Sequence, residues 1–327
     1  MAVSDPERLT RKIRAALAPC SLGQWPTPLE PVPPALARAL DLEALWVKRE
    51  DRSSPRYGGN KVRGLEFLLA GAPPGSVFVT VGGTGSTHCL ATAVHAAALS
   101  CRAALAQFPQ PETETSRAVA AACDARAALV VRAATRAGLP LAILAAWRGG
   151  ARLGPRRWIP GGGAHPRAVV GHLLAALELG HQVSEPPEAI VAPLGSGGTV
   201  AGLLLGIAWL GWPTRVIAVR VAPRLVANRW RSVRLARRAR RLLARVDVAL
   251  PAPRSPEVVN ALGRGYGWPT VEGESARRLA APHGLILDPT YGAKAFAFFL
   301  QRGPWNVQRA VFWHTFAMPA PLPESVR

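Results

Sequence analysis

Lysine is almost missing from this chain. Of 40 lysines and arginines only Lys12, Lys48, Lys61 and Lys294 are lysine. Cysteine is sparse as well. Cys20, Cys89, Cys101 and Cys123 form no CxxC pair, and no histidine spacing completes a zinc site, so they read as reduced cytosolic thiols and no metal is expected. Long apolar runs are absent. The longest, VAGLLLGIAWLGW at 200–212, falls short of the ~20 residues a membrane span needs. The start, MAVSDPERLTRKIRAAL, has neither an apolar core nor a cleavage motif, so no secretory signal is expected and the protein reads as cytoplasmic. No internal repeat or polar tract stands out. With 49% hydrophobic residues over 327, the chain has enough apolar material for one large core or two smaller ones.

Acidic residues are outnumbered two to one, leaving a formal charge of +20. Such a charge fits an acidic partner, with nucleic acid or an anionic membrane the obvious ones. Arginine, alanine, proline and glycine are abundant together, however, and this compositional bias raises the charge without any selection for binding. The densest basic run, RWRSVRLARRARRLLARV at 229–246, places Val226, Trp230, Val233, Leu242, Leu243 and Val246 at spacings near three and four. It reads as an amphipathic helix with a solvated basic face.

What is present is alternation. Short β-branched runs at 44–49, 76–81, 102–108, 127–131, 188–194, 215–221 and 309–315 alternate with Ala/Leu-rich stretches, a pattern of parallel strands joined by helical crossovers in an α/β fold. Helices are expected after Asn60, Ser86, Pro111, Thr135, His165, Gly198 and Tyr291. Glycine and proline cluster around residue 160, marking a return between two domains.

Four constellations carry chemistry. In VAPLGSGGTVAGLLLGI a buried-looking strand runs into Gly195, Ser196, Gly197, Gly198 and Thr199 and then into a helix. Glycines there let backbone N–H groups converge at a helix N-terminus, a phosphate site if it binds anything and a flexible turn if not. The spacing matches neither a Walker loop nor GxGxxG. In GGNKVRGLEFLL, Lys61 stands at a helix start, where the dipole opposes its charge and depresses its pKa. That suits a Schiff-base lysine, which must be neutral to attack a carbonyl, whereas the plain alternative is a surface lysine after a turn. VGGTGSTH offers hydroxyls and free N–H groups to a carboxylate or an aromatic oxygen. Its His88, and His95 seven residues on, read as helix-surface or core histidines. Two of the three tyrosines, Tyr266 in GRGYGWPT and Tyr291 in LDPTYGAKAF, sit in glycine-bearing loops; the third is Tyr57.

Together and in this order, these segments resemble the pyridoxal-phosphate enzymes of fold type II, specifically the branch of D-cysteine desulfhydrase and 1-aminocyclopropane-1-carboxylate deaminase. The resemblance runs from TPLEPVPP at Thr27 through LWVKRED, GGNKVRGLEFLL, VGGTGSTH, WIPGGG, LGSGGTVAGL and LDPTYGAKAFA to VFWHT at Thr315; the stretch 109–156 matches poorly and looks shortened. It implies two domains, each an open, mostly parallel sheet flanked by helices as in the tryptophan synthase β-like fold. The large domain would be 1–53 with 164–327 and the small one 54–163. It implies pyridoxal 5'-phosphate as cofactor, a small amino acid as substrate, a homodimer, and α,β-elimination or deamination to a 2-oxo acid and ammonia. By motif, Lys61 would form the Schiff base and move the Cα proton, and Gly195 to Thr199, with Asn60 and Thr87, would hold the cofactor. Thr315 would face the pyridine nitrogen, Ser86 the substrate carboxylate, and Tyr266 and Tyr291 would help proton transfer.

The chain departs from that pattern at four places. Relatives usually read GGxQSNH, so Gly85 replaces Gln and Thr87 replaces Asn; Phe316 follows Thr315 where relatives tend to have glycine; and Gly292 stands where deaminases carry Glu and desulfhydrases Ser or Thr. Two alternatives therefore stand beside the lyase reading: a family member with altered amino-acid specificity, and a non-catalytic cofactor- or nucleic-acid-binding relative.

Overall fold

The structure, a computed structural model, describes residues 5–301 and 306–320. Among them, ten strands form two sheets. The larger contains β1 (Leu29–Pro31), β2 (Ala44–Arg49), β7 (Ala189–Leu194), β8 (Arg215–Arg220), β9 (Glu257–Asn260) and β10 (Arg309–His314), in the order β1-β2-β10-β7-β8-β9. The smaller contains β3 (Val77–Gly83), β4 (Arg102–Phe108), β5 (Leu129–Arg132) and β6 (Arg156–Trp158), in the order β5-β4-β3-β6. Every pairing is parallel except β1 with β2. The mostly parallel α/β architecture is thus as the alternation predicts.

Helices cover both faces, which is why the central strands are apolar on both sides; β7 is buried along its whole length. On one face of the large sheet lie α2 (Pro34–Ala39), α10 (Val271–Ala280) and α11 (Gly292–Phe296). On the other lie α7 (Pro166–Gln182), α8 (Gly198–Leu210) and α9 (Arg229–Ala244), with α1 (Pro6–Leu17) against them. In the small sheet, α3 (Lys61–Leu68), α4 (Thr87–Ala97) and α5 (Glu114–Arg126) pack on one face and α6 (Leu139–Ala151) on the other. Helix α3 belongs to both halves: Val62 and Leu65 join the small-sheet core, and Phe67 joins the core around α7. The close approach of α3 and α7 needs Gly171, where an added Cβ would stand 2.1 Å from the Arg63 carbonyl oxygen.

Three differences from the sequence expectations have physical causes. Strands β1, β6 and β9 are only three or four residues long and carry no alternation to detect. The helices expected after Pro111 and Thr135 start later. Thr113 supplies the capping box of α5, and Pro140 takes a first-turn position in α6 behind Gly138. In α9, Asn228 is the N-cap and sets the phase, so the inward residues are Ser232, Val233, Leu235, Ala236, Ala239 and Leu243. Trp230, expected on the apolar stripe, is instead 74% exposed, and Val226 lies outside the helix, exposed.

Candidate active site

The C-terminal ends of β3, β7 and β10 open on one crevice between the two sheets, where open parallel sheets generally bind ligands. It is a cavity of about 430 Å³. Asn60, Lys61, Ser86, Thr87, Gly195, Ser196, Gly197, Gly198, Thr199, Tyr266, Tyr291 and Thr315 all line it. Residues spread over more than 250 positions of the sequence are therefore brought to one place.

Lys61 opens α3, and the segment before it is tied on three sides. Gly59, at φ 97°, donates its N–H to the Glu50 carbonyl at 2.9 Å. The Asn60 N–H reaches the Thr315 carbonyl at 3.1 Å, and Asn60 Nδ2 donates to Thr199 Oγ1 at 2.7 Å. The Lys61 ammonium has one hydrogen bond, to the Gly162 carbonyl at 3.3 Å, and no carboxylate partner among the described residues. Desolvation pulls its pKa down to about 8. The helix terminus alone predicts a depressed pKa for Lys61, but burial is its cause.

Opposite, β7 ends at Leu194 and the chain turns through Gly195, Ser196 and Gly197 into α8. Gly197 caps that helix at φ 89°, and no side chain caps it. The first N–H groups of a 13-residue helix are therefore left for a ligand at the end where the dipole favours an anion. Ser196 Oγ donates to the same Gly162 carbonyl as Lys61, at 3.2 Å, joining turn and lysine. On the small-sheet side, Ser86 is the N-cap of α4 and accepts from the Cys89 N–H at 3.4 Å, with Thr87 beside it. Tyr266 and Tyr291 meet with their hydroxyl oxygens 2.6 Å apart. Burial raises both phenol pKa values, Tyr266 to about 12 and Tyr291 well above the ordinary range, so both stay protonated at neutral pH.

The cavity also takes residues that no sequence motif marks, Phe108, Arg136 and Arg231 among them. Phe108 carries its ring to 6.1 Å from that of Tyr266, and Arg136 sits 5.8 Å above the Phe108 ring. Arg231 lines the cavity from the start of α9, next to Ser232, which packs on Gly197. His88, one of the two histidines read as surface or core, is buried in the cavity wall. Thr80 Oγ1 donates its single hydrogen to the Ile159 carbonyl at 2.9 Å, so at its 2.8 Å contact with His88 it must accept from Nε2–H. His88 Nδ1 is thus an unprotonated acceptor with no partner in the described residues. Desolvation, helped by Lys61, lowers the pKa of His88 to about 3 and keeps the ring neutral. Its signal in the sequence was only its place one residue after Thr87.

The four departures divide evenly. Thr87 and Phe316 line the cavity, whereas Gly85 and Gly292 do not. A Cβ on Gly85, at φ 87°, would lie 2.5 Å from the Ser116 carbonyl oxygen, so α5 closes over the place where relatives carry Gln. A Cβ on Gly292 would meet Asp288 Oδ1 at 3.0 Å.

The cavity's charge defines its class of ligand. Lys61, Arg136 and Arg231 line it, and the single acid among its lining residues, Asp288, is spent accepting the N–H groups of Thr290, Tyr291 and Gly292 at 2.8 to 3.1 Å. A neutralisable lysine and an uncapped glycine turn in one such cavity define a site for a phosphorylated carbonyl compound.

Comparison with known proteins supplies the rest. The family described as pyridoxal-phosphate dependent enzyme matches residues 20–315. The chain is 34% identical to nocardicin C-9' epimerase of Nocardia uniformis subsp. tsuyamanensis, over 89% of this chain and 90% of that one. It is 31% identical to D-cysteine desulfhydrase of Klebsiella pneumoniae subsp. pneumoniae, over 90% and 92%. Among solved structures, an ACC deaminase homologue superposes with a TM-score of 0.81 at 27% identity, covering 94% of this chain and 95% of that one. The chain belongs to the pyridoxal-phosphate dependent enzyme family, of fold type II, and pyridoxal phosphate is its cofactor. The residues present fit that group: free helix N–H groups for the phosphate, and a lysine without a carboxylate for the aldehyde.

Proposed function

We propose that the chain is a lyase of the D-cysteine desulfhydrase type, which takes the Cα proton of a small amino acid and expels its Cβ substituent, the unsaturated amine so formed taking up water to give a 2-oxo acid and ammonia. When bound, pyridoxal phosphate withdraws electrons from Cα of the amino acid joined to it. The protein does the rest. The turn Gly195 to Thr199 holds the phosphate with its N–H groups, Asn60 fixes Thr199, and Thr315 faces the pyridine nitrogen. Lys61 carries the cofactor and moves the Cα proton. Ser86, the N-cap of α4, takes the substrate carboxylate, and Thr87 beside it contacts the cofactor. Tyr266 and Tyr291 are a protonated hydroxyl pair able to deliver a proton to a leaving group. Thr87 and Phe316, the two departures facing the cavity, tune which side chain fits. The chain is proposed to act as a cytoplasmic homodimer, with residues 54–163 as the small domain and 1–53 with 164–327 as the large one.

One observation carries this reading: a half-buried lysine with no carboxylate partner among the described residues shares the Gly162 carbonyl with a glycine turn that leaves a helix N-terminus open. A panel of D- and L-amino acids assayed for 2-oxo acid release tests it. Release from D-cysteine or a similar substrate, lost in Lys61→Ala, is expected; no release from any β-substituted amino acid overturns it.

A second reading is epimerisation at Cα. The 34% identity to nocardicin C-9' epimerase favours it, as does the presence of a hydroxyl pair besides Lys61 in the cavity. Inversion in D2O with deuterium at Cα and no 2-oxo acid would select this reading over the first.

A further inference from the structure

Tyr266 and Tyr291 come from separate segments, and neither segment alone sets their hydroxyls together. Tyr291 is fixed by Asp288, whose carboxylate accepts the Tyr291 N–H at 2.8 Å and the Gly292 N–H, at the start of α11, at 2.8 Å. Among the described residues no side chain fixes the Tyr266 backbone in this way; its loop has two backbone bonds, Gly265 N–H to the Leu262 carbonyl and Trp268 N–H to the Gly265 carbonyl, both at 3.3 Å. Tyr266 stands between Gly265 and Gly267, at φ 150° and 85°, outside any helix or strand. Glycines with positive φ leave that loop many conformations to lose.

Lys294 supplies the missing link. It lies three residues beyond Tyr291 on α11 and is 1% exposed. Its ammonium donates to the Leu262 carbonyl at 2.8 Å and to the Gly265 carbonyl, next to Tyr266, at 3.3 Å. Among the described residues Asp288 is the titratable neighbour acting on it; desolvation outweighs that carboxylate, and the pKa falls to about 8. Burying an amine that stays a cation is costly, and two backbone acceptors are what it receives in return.

We propose that Lys294 is a positioning residue: its ammonium ties the Leu262–Gly265 turn to α11 and so sets the Tyr266 hydroxyl against that of Tyr291. The proposal rests on the functional reading above in that the hydroxyl pair serves the reaction. It also explains a second lysine in a chain that writes arginine by habit. An ammonium is a compact donor able to reach two converging carbonyls, whereas a guanidinium spreads its donors in a planar fork suited to carboxylates.

The test compares Lys294→Met, Tyr266→Phe and the double variant as cofactor-loaded proteins. Lys294→Met keeps the stem and removes the donors. Its kcat is expected to fall by the same factor as in Tyr266→Phe, about 100-fold or more, with KM changed less than about twofold and the visible absorption of the bound cofactor unchanged. The double variant should lose less than about twofold more than either single, because both act through one hydroxyl. Amide exchange in 262–268 should quicken, with β7 and α8 unaffected. Wild-type kcat in Lys294→Met, or losses that multiply in the double variant, would overturn the proposal. If Lys294→Met does not fold, Lys294→Gln, which keeps one donor, should show a smaller loss with the same non-additivity; multiplying losses there overturn it equally. Full turnover in both Tyr266→Phe and Tyr291→Phe would remove the functional reading of the pair. Faster exchange in 262–268 would then still support the clamp, and unchanged exchange would remove that too.

Discussion

Two cations stand two residues apart at the start of α3 and meet opposite fates. Arg63 points into a knot beneath the helix. It donates to Glu50 at 2.6 and 2.8 Å, to Glu178 at 3.0 and 3.1 Å and to Thr27 Oγ1 at 3.0 Å. Lys48 completes the knot through Glu178, Gln182 Oε1 at 2.6 Å and the Thr27 carbonyl at 2.8 Å, so two cations face two carboxylates. Burial alone would pull the Arg63 pKa down, but Glu50 and Glu178 outweigh it and hold it above the ordinary value. Lys61, at the cavity end, has a single carbonyl, and burial lowers its pKa unopposed. Desolvation acts on both; the position of carboxylates decides whether the result is an anchor or a reactive amine.

The sharpest way to break this contrast is to give Lys61 the permanent charge of its neighbour. Lys61→Arg should lower turnover by about 10³-fold or more, because a guanidinium cannot become neutral and attack a carbonyl; 2-oxo acid release and the visible band of the bound cofactor both report it. Stability should show the reverse asymmetry. Arg63→Met strands Glu50 and Glu178 around the remaining Lys48 and should cost about 3–5 kcal/mol in urea unfolding. Lys61→Met removes an unpaired desolvated amine, and the cofactor-free protein should be no less stable than wild type.

Acidity separates the two ends as well. The Lys61 pKa is depressed to about 8, so the rate of cofactor uptake, followed by absorbance, should rise about tenfold per pH unit up to pH 8 and level off above it. By linkage, the unfolded chain holds that proton up to the ordinary lysine pKa. Lys61 therefore penalises the fold below pH 8, and the penalty is relieved as pH rises from there toward 10.5. The smallest effect belongs to the strut between the two halves. Asn60→Ala removes the bond to Thr199 Oγ1 and should cost about 1 kcal/mol of cofactor affinity, roughly fivefold in a titration.

Much of this was legible in the residues. The seven apolar runs overlap β2, β3, β4, β5, β7, β8 and β10, and the twelve site residues named by motif line one cavity. Local chemistry announces itself where a turn needs glycine or a helix needs a cap. The rest depends on what lies opposite. The phase of α9 hangs on one N-cap, Asn228, so Trp230 turned outward. Gly85 and Gly292 resemble substrate-setting changes until α5 and Asp288 are seen filling the space beside them. The scarcity of lysine pointed to one reactive amine, yet Lys48 and Lys294 are buried as well, each holding backbone carbonyls.

The sequence by itself determined seven of the ten described strands, the glycine turn after β7 and the residue type at position 61, because these follow from short-range patterns and from what each side chain can do. Only the tertiary structure decided that Arg63 would meet carboxylates from 13 and 115 residues away while Lys61 would meet none. Residue type supplies an amine; its environment, assembled from distant parts of the chain, sets whether that amine stays charged.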